Sequence, residues 1–174
     1  MAVPLGLNRI GRPLCMKTVS VLFICMGNIC RSPLAHGRFE HLVRESGLES
    51  RISVDSAGTH AYHVGEPPDR RSQQTALRRG IDISAQRARK VAQSDFEEFD
   101  YLLAMDRDNL AILLSVAPPE HVHKVRLFLD FAPELDEKEV PDPYYGGQSG
   151  FERVYDLIDT ASQDLLDEIR KQHF

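Results

Sequence analysis

Residues 25–32, Cys25-Met-Gly-Asn-Ile-Cys-Arg-Ser32, hold a thiol and a guanidinium at the two ends of a short loop, directly after the apolar run Val19–Ile24. A chain that leaves a buried strand, turns through Gly27 and enters a helix at Ser32-Pro33 points successive backbone N–H groups at one place, and that place attracts an oxyanion. Cys25 sits beneath it. The same N–H groups and the helix N-terminus favour a thiolate over a thiol, which makes Cys25 a nucleophile. The planar fork of Arg31 can grip two oxygens of a phosphoryl group at once, a contact that lysine cannot match. The chemistry that these residues suit is transfer of a phosphoryl group to sulfur.

Such a transfer needs a proton for the departing oxygen. Asp142, set between Pro141 and Pro143, is the candidate: the residue before a proline is biased toward extended backbone and the proline before it stiffens the other side, so the carboxyl is restrained. It can take a proton back from water when the sulfur–phosphorus bond is hydrolysed. Tyr62, Tyr144 and Tyr145 are candidate aromatic walls for a cleft whose depth would favour an aryl phosphate over the shorter phosphoserine. Cys30 has two readings, a resolving thiol that captures an oxidised Cys25 and a small side chain that fills the loop. His121 and His123 lack partners at metal-ligand spacing, so neither a metal nor another cofactor is expected.

The elements that must position these groups follow from the pattern of the chain. Val19–Ile24 reads as a first strand. Ser32 and Pro33 read as an N-cap and first helical residue, with Ala35, Phe39, Leu42 and Val43 on the apolar face and Gly47 as the stop. A strand over 51–55, a helix from Pro67-Pro68-Asp69 to about Arg79 with Gly80 as its stop, a strand over 99–105, a helix over 107–116 and a strand over 124–129 follow. A last helix from Gly150 directs Phe151, Val154, Tyr155, Ile158, Leu165 and Ile169 inward. The alternation predicts a single α/β domain over 18–174, a four-stranded parallel sheet with helices on both faces and the phosphate-binding loop after its first strand. Ligands bind such sheets at the carboxyl ends of strands, where the Cys25 loop falls.

The chain has 174 residues and a formal charge of −5 with mixed signs, which argues against nucleic-acid binding, and no apolar run of membrane-spanning length. Three cysteines, two of them inside the loop, are no disulfide framework, and a thiolate nucleophile needs reducing surroundings; the cytoplasm is the expected location, with export left open. Residues 1–17 read as a disordered extension carrying an incidental thiol at Cys15.

Val-Leu-Phe-Ile-Cys-Met-Gly-Asn-Ile-Cys-Arg-Ser-Pro, Asp55-Ser-Ala-Gly-Thr, Phe99-Asp-Tyr-Leu-Leu-Ala-Met-Asp106 and Asp142-Pro-Tyr-Tyr together resemble the low-molecular-weight protein tyrosine phosphatases over nearly the whole chain. The resemblance implies Cys25 as nucleophile and Arg31 as phosphate binder. Asn28 and Ser56 would fix the loop to which Gly27, Ile29 and Cys30 also belong, Ser32 would hydrogen-bond the thiolate, and Asp142 would be the general acid. It implies phosphotyrosine proteins as substrates, and a tyrosine kinase acting on Tyr144 or Tyr145. Asp106 matches a family position, with a structural role expected. Two residues depart from the pattern: His36 stands where the family usually has Glu, and Gln86 where it usually has His. A protein arginine phosphatase is the nearest alternative, although that branch resembles Thr where Ile29 stands. A thioredoxin-coupled arsenate reductase would need cysteines downstream of Cys30, and a non-enzymatic phosphotyrosine-binding module would be expected to lose Cys25 or Asp142.

Overall fold

Strand β1 (Val19–Cys25) is buried on both faces, as its unbroken apolar run requires of a central strand in a parallel sheet. Val19, Val21, Phe23 and Cys25 face one cluster of the core, and Leu22 and Ile24 face another. The period of two in a strand therefore puts Cys25 on the same side as Phe23. In the computed structural model, which describes residues 18–174, β1 pairs in parallel with β2 (Ile52–Gly58) on one side and with β3 (Tyr101–Ala104) on the other, and β3 pairs with the outer strand β4 (Val125–Leu127). The order β2-β1-β3-β4 reverses direction at β1. A crevice opens at such a switch point beyond the carboxyl end of the strand, and the Cys25 loop occupies it.

Helices cover both faces, as the sequence pattern predicts. On the side of Phe23 lie α1 (Arg31–Glu45) and α5 (Gln148–His173), packed against each other, with α2 (Arg70–Leu77) across them. All six residues expected to turn inward from α5 are buried. The other face is covered by the short α3 (Asp95–Glu98), which contributes Phe96, and by α4 (Arg107–Val116), which contributes Leu113. No helix among the described residues is long and apolar enough to cross a membrane. The expected extension with Cys15 lies outside the described residues.

The element boundaries differ from the sequence pattern where the site imposes its own geometry. Helix α1 begins at Arg31, before Ser32, and no side chain caps it. Ser32 is turned inward instead, and the first N–H groups of the helix stay open for a ligand. Strand β2 runs past Asp55 to Gly58 because its pairing with β1 continues as far as Cys25 opposite Gly58. A Cβ at Gly58 would come 2.8 Å from the Met26 carbonyl oxygen and 3.2 Å from the Asn28 nitrogen, so only glycine lets the loop fold back over this strand. Strand β4 gives way at Phe128 to a 3-10 turn that continues to Phe131, where Phe128 packs edge-on against Phe23 with ring centroids 4.9 Å apart.

Candidate active site

The loop after β1 turns at Asn28, with φ of 56°, rather than at Gly27, which keeps an ordinary backbone conformation. Asparagine tolerates this left-handed region because its short polar side chain can be held by hydrogen bonds. Here every group of that side chain is used. Asn28 Oδ1 accepts from the Arg89 backbone N–H at 3.0 Å, and Nδ2 donates to Ser32 Oγ at 2.8 Å and to Ser56 Oγ at 3.0 Å. Gly27 has a different reason to lack a side chain: a Cβ there would lie 3.0 Å from His63 Cδ2.

Cys25 is 2 % exposed at the floor of the loop. Its Sγ lies 3.0 Å from Ser32 Oγ and 3.3 Å from the Asn28 N–H, which donates to it. Ser32 Oγ accepts from Asn28 Nδ2 and can turn its own proton either to Cys25 Sγ or to the Ala57 carbonyl at 3.5 Å, so the sulfur has the Asn28 N–H and the Ser32 hydroxyl as available donors. Cys30, its neighbour in the loop, has another environment. It packs with Ile29, Ala88 and Phe151, and burial, followed by the charges of Asp69, Cys25 and Asp142, pushes its thiol up to about 12. Cys30 therefore remains protonated at neutral pH, and both loop cysteines are free.

Arg31 is 2 % exposed. Both hydrogens of Nη1 are engaged, one by Asp106 Oδ2 at 2.5 Å and one by the Val140 carbonyl at 3.1 Å. Burial works against its charge, but Cys25, the hydrogen bond and charge of Asp106, and Asp142 outweigh it and raise its pKa. The Nε and Nη2 hydrogens have no hydrogen-bond partner among the described residues, which leaves the edge suited to a bidentate grip on two phosphate oxygens. Asp106 meanwhile caps α4, accepting from the Asn109 N–H at 2.8 Å through its other oxygen. Its place after a strand and before a helix signals the cap but not the ion pair, which joins residues 75 apart. Asp106→Asn should therefore lower kcat/KM about 10–100-fold, the worth of one hydrogen bond between charged groups. Steady-state kinetics on an aryl phosphate check it, and a change under about twofold would show that Val140 alone orients Arg31.

Asp142 lies across the mouth. Its Oδ1 accepts from the Tyr144 N–H at 3.0 Å, a turn that fixes the carboxyl, and its Oδ2 stands 3.6 Å from Arg31 Nη2. The segment carrying it is fastened on both sides. Val140 N–H donates to the Met105 carbonyl at the end of β3, and Arg71 Nη1 donates to the Gly146 carbonyl at 3.3 Å. Arg71 is in turn held by Asp69, whose carboxylate burial would raise but which the Arg71 hydrogen bonds bring below the usual range. Asp69 also caps α2, and its N–H donates to the Ile29 carbonyl. One short run thus ties the Cys25 loop to the segment that carries Asp142.

These elements enclose a cleft of about 280 Å³ lined by Cys25, Gly27, Ile29, Cys30, Arg31 and Asp142, with Tyr62, Tyr144 and Tyr145 on its walls. Tyr62 stacks on His60 with centroids 5.2 Å apart, and Tyr144 meets Tyr145 edge-on at 5.0 Å. Asn28, Ser32 and Ser56 stand behind the loop. Met26 and His63 also line the cleft; flexible or solvated side chains beside a glycine carry no signal that distinguishes them in sequence. Gln86, where the resemblance placed a residue supporting the loop, donates to the Pro33 carbonyl at 3.2 Å instead, and the Arg89 backbone serves Asn28. The profile of the family described as low molecular weight phosphotyrosine protein phosphatase matches residues 20–173. The chain belongs to that family. With the family comes the reaction class, hydrolysis of a phosphoric monoester. Relatives of this low molecular weight phosphatase include YfkJ of Bacillus subtilis, a low molecular weight protein-tyrosine-phosphatase, 42 % identical over 154 residues that cover 88 % of this chain and 97 % of that one. The low molecular weight phosphotyrosine protein phosphatase of Schizosaccharomyces pombe is 44 % identical over 88 % of this chain and 98 % of its own. The crystal structure of YfkJ superimposes with a TM-score of 0.87 over 92 % of this chain and 99 % of that one, at 40 % identity. A protein tyrosine phosphatase of Entamoeba histolytica, crystallised with Hepes in the active site, gives 0.86 over 90 % of this chain and 100 % of that one, at 38 % identity.

Proposed function

We propose that this enzyme hydrolyses phosphotyrosine in proteins through a phosphocysteine intermediate at Cys25. The phosphate dianion enters with three oxygens toward the loop N–H groups and the free edge of Arg31. Cys25 sulfur attacks phosphorus in line as the bond to the tyrosine oxygen breaks, and Asp142 gives that oxygen its proton. In the second step water attacks phosphorus, the sulfur–phosphorus bond breaks, and Asp142 takes the proton from water. The observation that carries this reading is the meeting of Cys25, Arg31 and Asp142 in one cleft with tyrosine walls. Release of phosphate from phosphotyrosine, phosphoserine and phosphoarginine peptides of one sequence tests it.

Ile29 lines the cleft and is 8 % exposed. Its side chain offers no partner to a guanidinium, which disfavours phosphoarginine in a site where an unpaired polar group is costly. The phosphotyrosine peptide is therefore expected to have the higher kcat/KM. Ile29→Thr should move the ratio about 10-fold or more toward phosphoarginine. Faster turnover of phosphoarginine by the unaltered enzyme would reverse the assignment. Tyr145 is 94 % exposed, which suits it better than the half-covered Tyr144 as the residue a tyrosine kinase would modify.

A further inference from the structure

Behind the phosphate loop a line of hydrogen bonds runs away from the nucleophile, and its direction from Arg89 to the two serines is fixed by the one group in it that can only donate. The Arg89 backbone N–H can only donate, so it fixes Asn28 Oδ1 and turns Nδ2 toward the two serines. Ser32 Oγ and Ser56 Oγ therefore both accept from Asn28. The Ser32 proton has Cys25 Sγ at 3.0 Å and the Ala57 carbonyl at 3.5 Å as acceptors. Ser56 must place its proton elsewhere, and among the described residues the remaining partner of its Oγ is His36 Nδ1 at 3.2 Å. Ser56 thus donates and His36 Nδ1 accepts, which requires a neutral imidazole with its proton on Nε2.

We propose that His36 is a positioning residue for catalysis: as the Nε2–H tautomer it accepts the Ser56 hydroxyl proton and so holds Asn28 and the phosphate loop, and protonation of His36 releases that hold. The inference rests on Cys25 being the nucleophile. An imidazolium would present Nδ1–H to the second lone pair of the Ser56 oxygen, and the buried Ser56 proton would then have no acceptor among the described residues, which is costly. Either Ser56 rotates or the Asn28 amide lets go, and Asn28 is the residue whose left-handed backbone aims its N–H at sulfur. The surroundings favour the neutral ring. His36 is partly buried, and burial lowers its pKa from 6.5; Glu40 from α1 and Asp55 from β2 oppose the shift, and Arg89, from the segment after α2, adds to it. A depressed pKa in the folded state means that the contribution of His36 is present above the ordinary value and is lost as pH falls through the lower, folded one.

The test combines kinetics with a readout that does not need turnover. Asparagine carries a carbonyl oxygen on Cγ, the atom that bears Nδ1 in histidine, so His36→Asn supplies an acceptor that does not titrate; His36→Leu supplies none. At pH of about 7.5, His36→Asn should retain kcat within about twofold, whereas His36→Leu should lose about 5–20-fold. From there to a pH of about 5, the wild type should lose a limb of kcat that His36→Asn lacks, so the ratio of variant to wild type rises several-fold. Nitrogen NMR of the wild type should show the Nε2–H tautomer, with the Asn28 side-chain amide moving as His36 titrates. An Nδ1–H tautomer, an Asn28 amide blind to that titration, or an acidic limb shared by His36→Asn overturns the proposal. A wild type inert toward aryl phosphates would overturn the reading of Cys25 instead, and the NMR measurements would still decide whether His36 holds Asn28. Because His36→Asn keeps the acceptor, the proposal stays falsifiable even if His36→Leu fails to fold.

Discussion

Cys25→Ser is expected to abolish turnover while leaving the phosphate cradle intact. Serine fits the same buried position, and the donors around it, Ser32 Oγ and the Asn28 N–H, are not lost. What is lost is the thiol that we propose as nucleophile, because donors suited to a thiolate do not make an alkoxide available near neutral pH. Removing a nucleophile from a set of groups that act together costs most of what the set contributes, so kcat for an aryl phosphate should fall by at least about 10⁴-fold. Inorganic phosphate, which needs only the loop N–H groups and Arg31, should bind no more weakly than to the wild type, since no phosphate-binding donor has been removed and a thiolate charge beneath the dianion would be gone. Rapid quenching during turnover should find one phosphoryl group on the wild-type protein, at Cys25, and none on the variant. A variant that keeps a hundredth or more of the activity, or an unmodified Cys25 in the quenched wild type, would mean that water attacks phosphorus directly.

The parts of this site that are local in sequence were legible as such. Cys25 and Arg31 lie on one loop between a buried strand and a helix, and the apolar run, the Ser-Pro and the period of the helix announce both neighbours. The sheet was legible for the same reason, since alternating strand and helix patterns admit few topologies. The details that the pattern misplaced are those decided by contacts across the fold. Serine followed by proline is a sound N-cap signal, yet Ser32 is drawn inward because Cys25 and Asn28 both face it, and α1 opens without a side-chain cap. Glycine is the usual residue for a left-handed turn, yet Asn28 takes that place because Arg89, Ser32 and Ser56 hold its amide. Asp106 explains itself locally as a helix cap, so nothing in the sequence asks for its second bond, to Arg31. Nothing local in the segment from Val140 to Gly146 announces what it binds, and only the fold shows Met105 and Arg71 fastening its two ends beside the thiol.

Asp142→Ala should separate binding from proton transfer. The carboxyl is aimed across the mouth of the cleft by its own turn to the Tyr144 N–H and stands 3.6 Å from Arg31 Nη2, close enough to reach the oxygen that leaves phosphorus but outside the cradle. Inorganic phosphate should accordingly bind no more weakly to the variant, and removal of a negative charge beside Arg31 favours the dianion slightly. For a phenol of high pKa, kcat should fall about 10²–10⁴-fold, the range that a positioned general acid contributes. For a phenol acidic enough to leave as its anion, the first step should fall much less, because that leaving group needs no proton. Burst kinetics over a series of aryl phosphates isolate that step, and a plot of its rate against leaving-group pKa should be distinctly steeper for the variant. Hydrolysis of the phosphocysteine should slow for every substrate alike, since the same carboxyl then serves water and the phenol is gone. Parallel slopes would remove Asp142 from the proton transfer. Glu139 would be the next residue to test: it accepts from the Arg107 N–H at 2.7 Å, three residues from Asp142 along the chain, and so lies on the same side of the sheet's carboxyl edge.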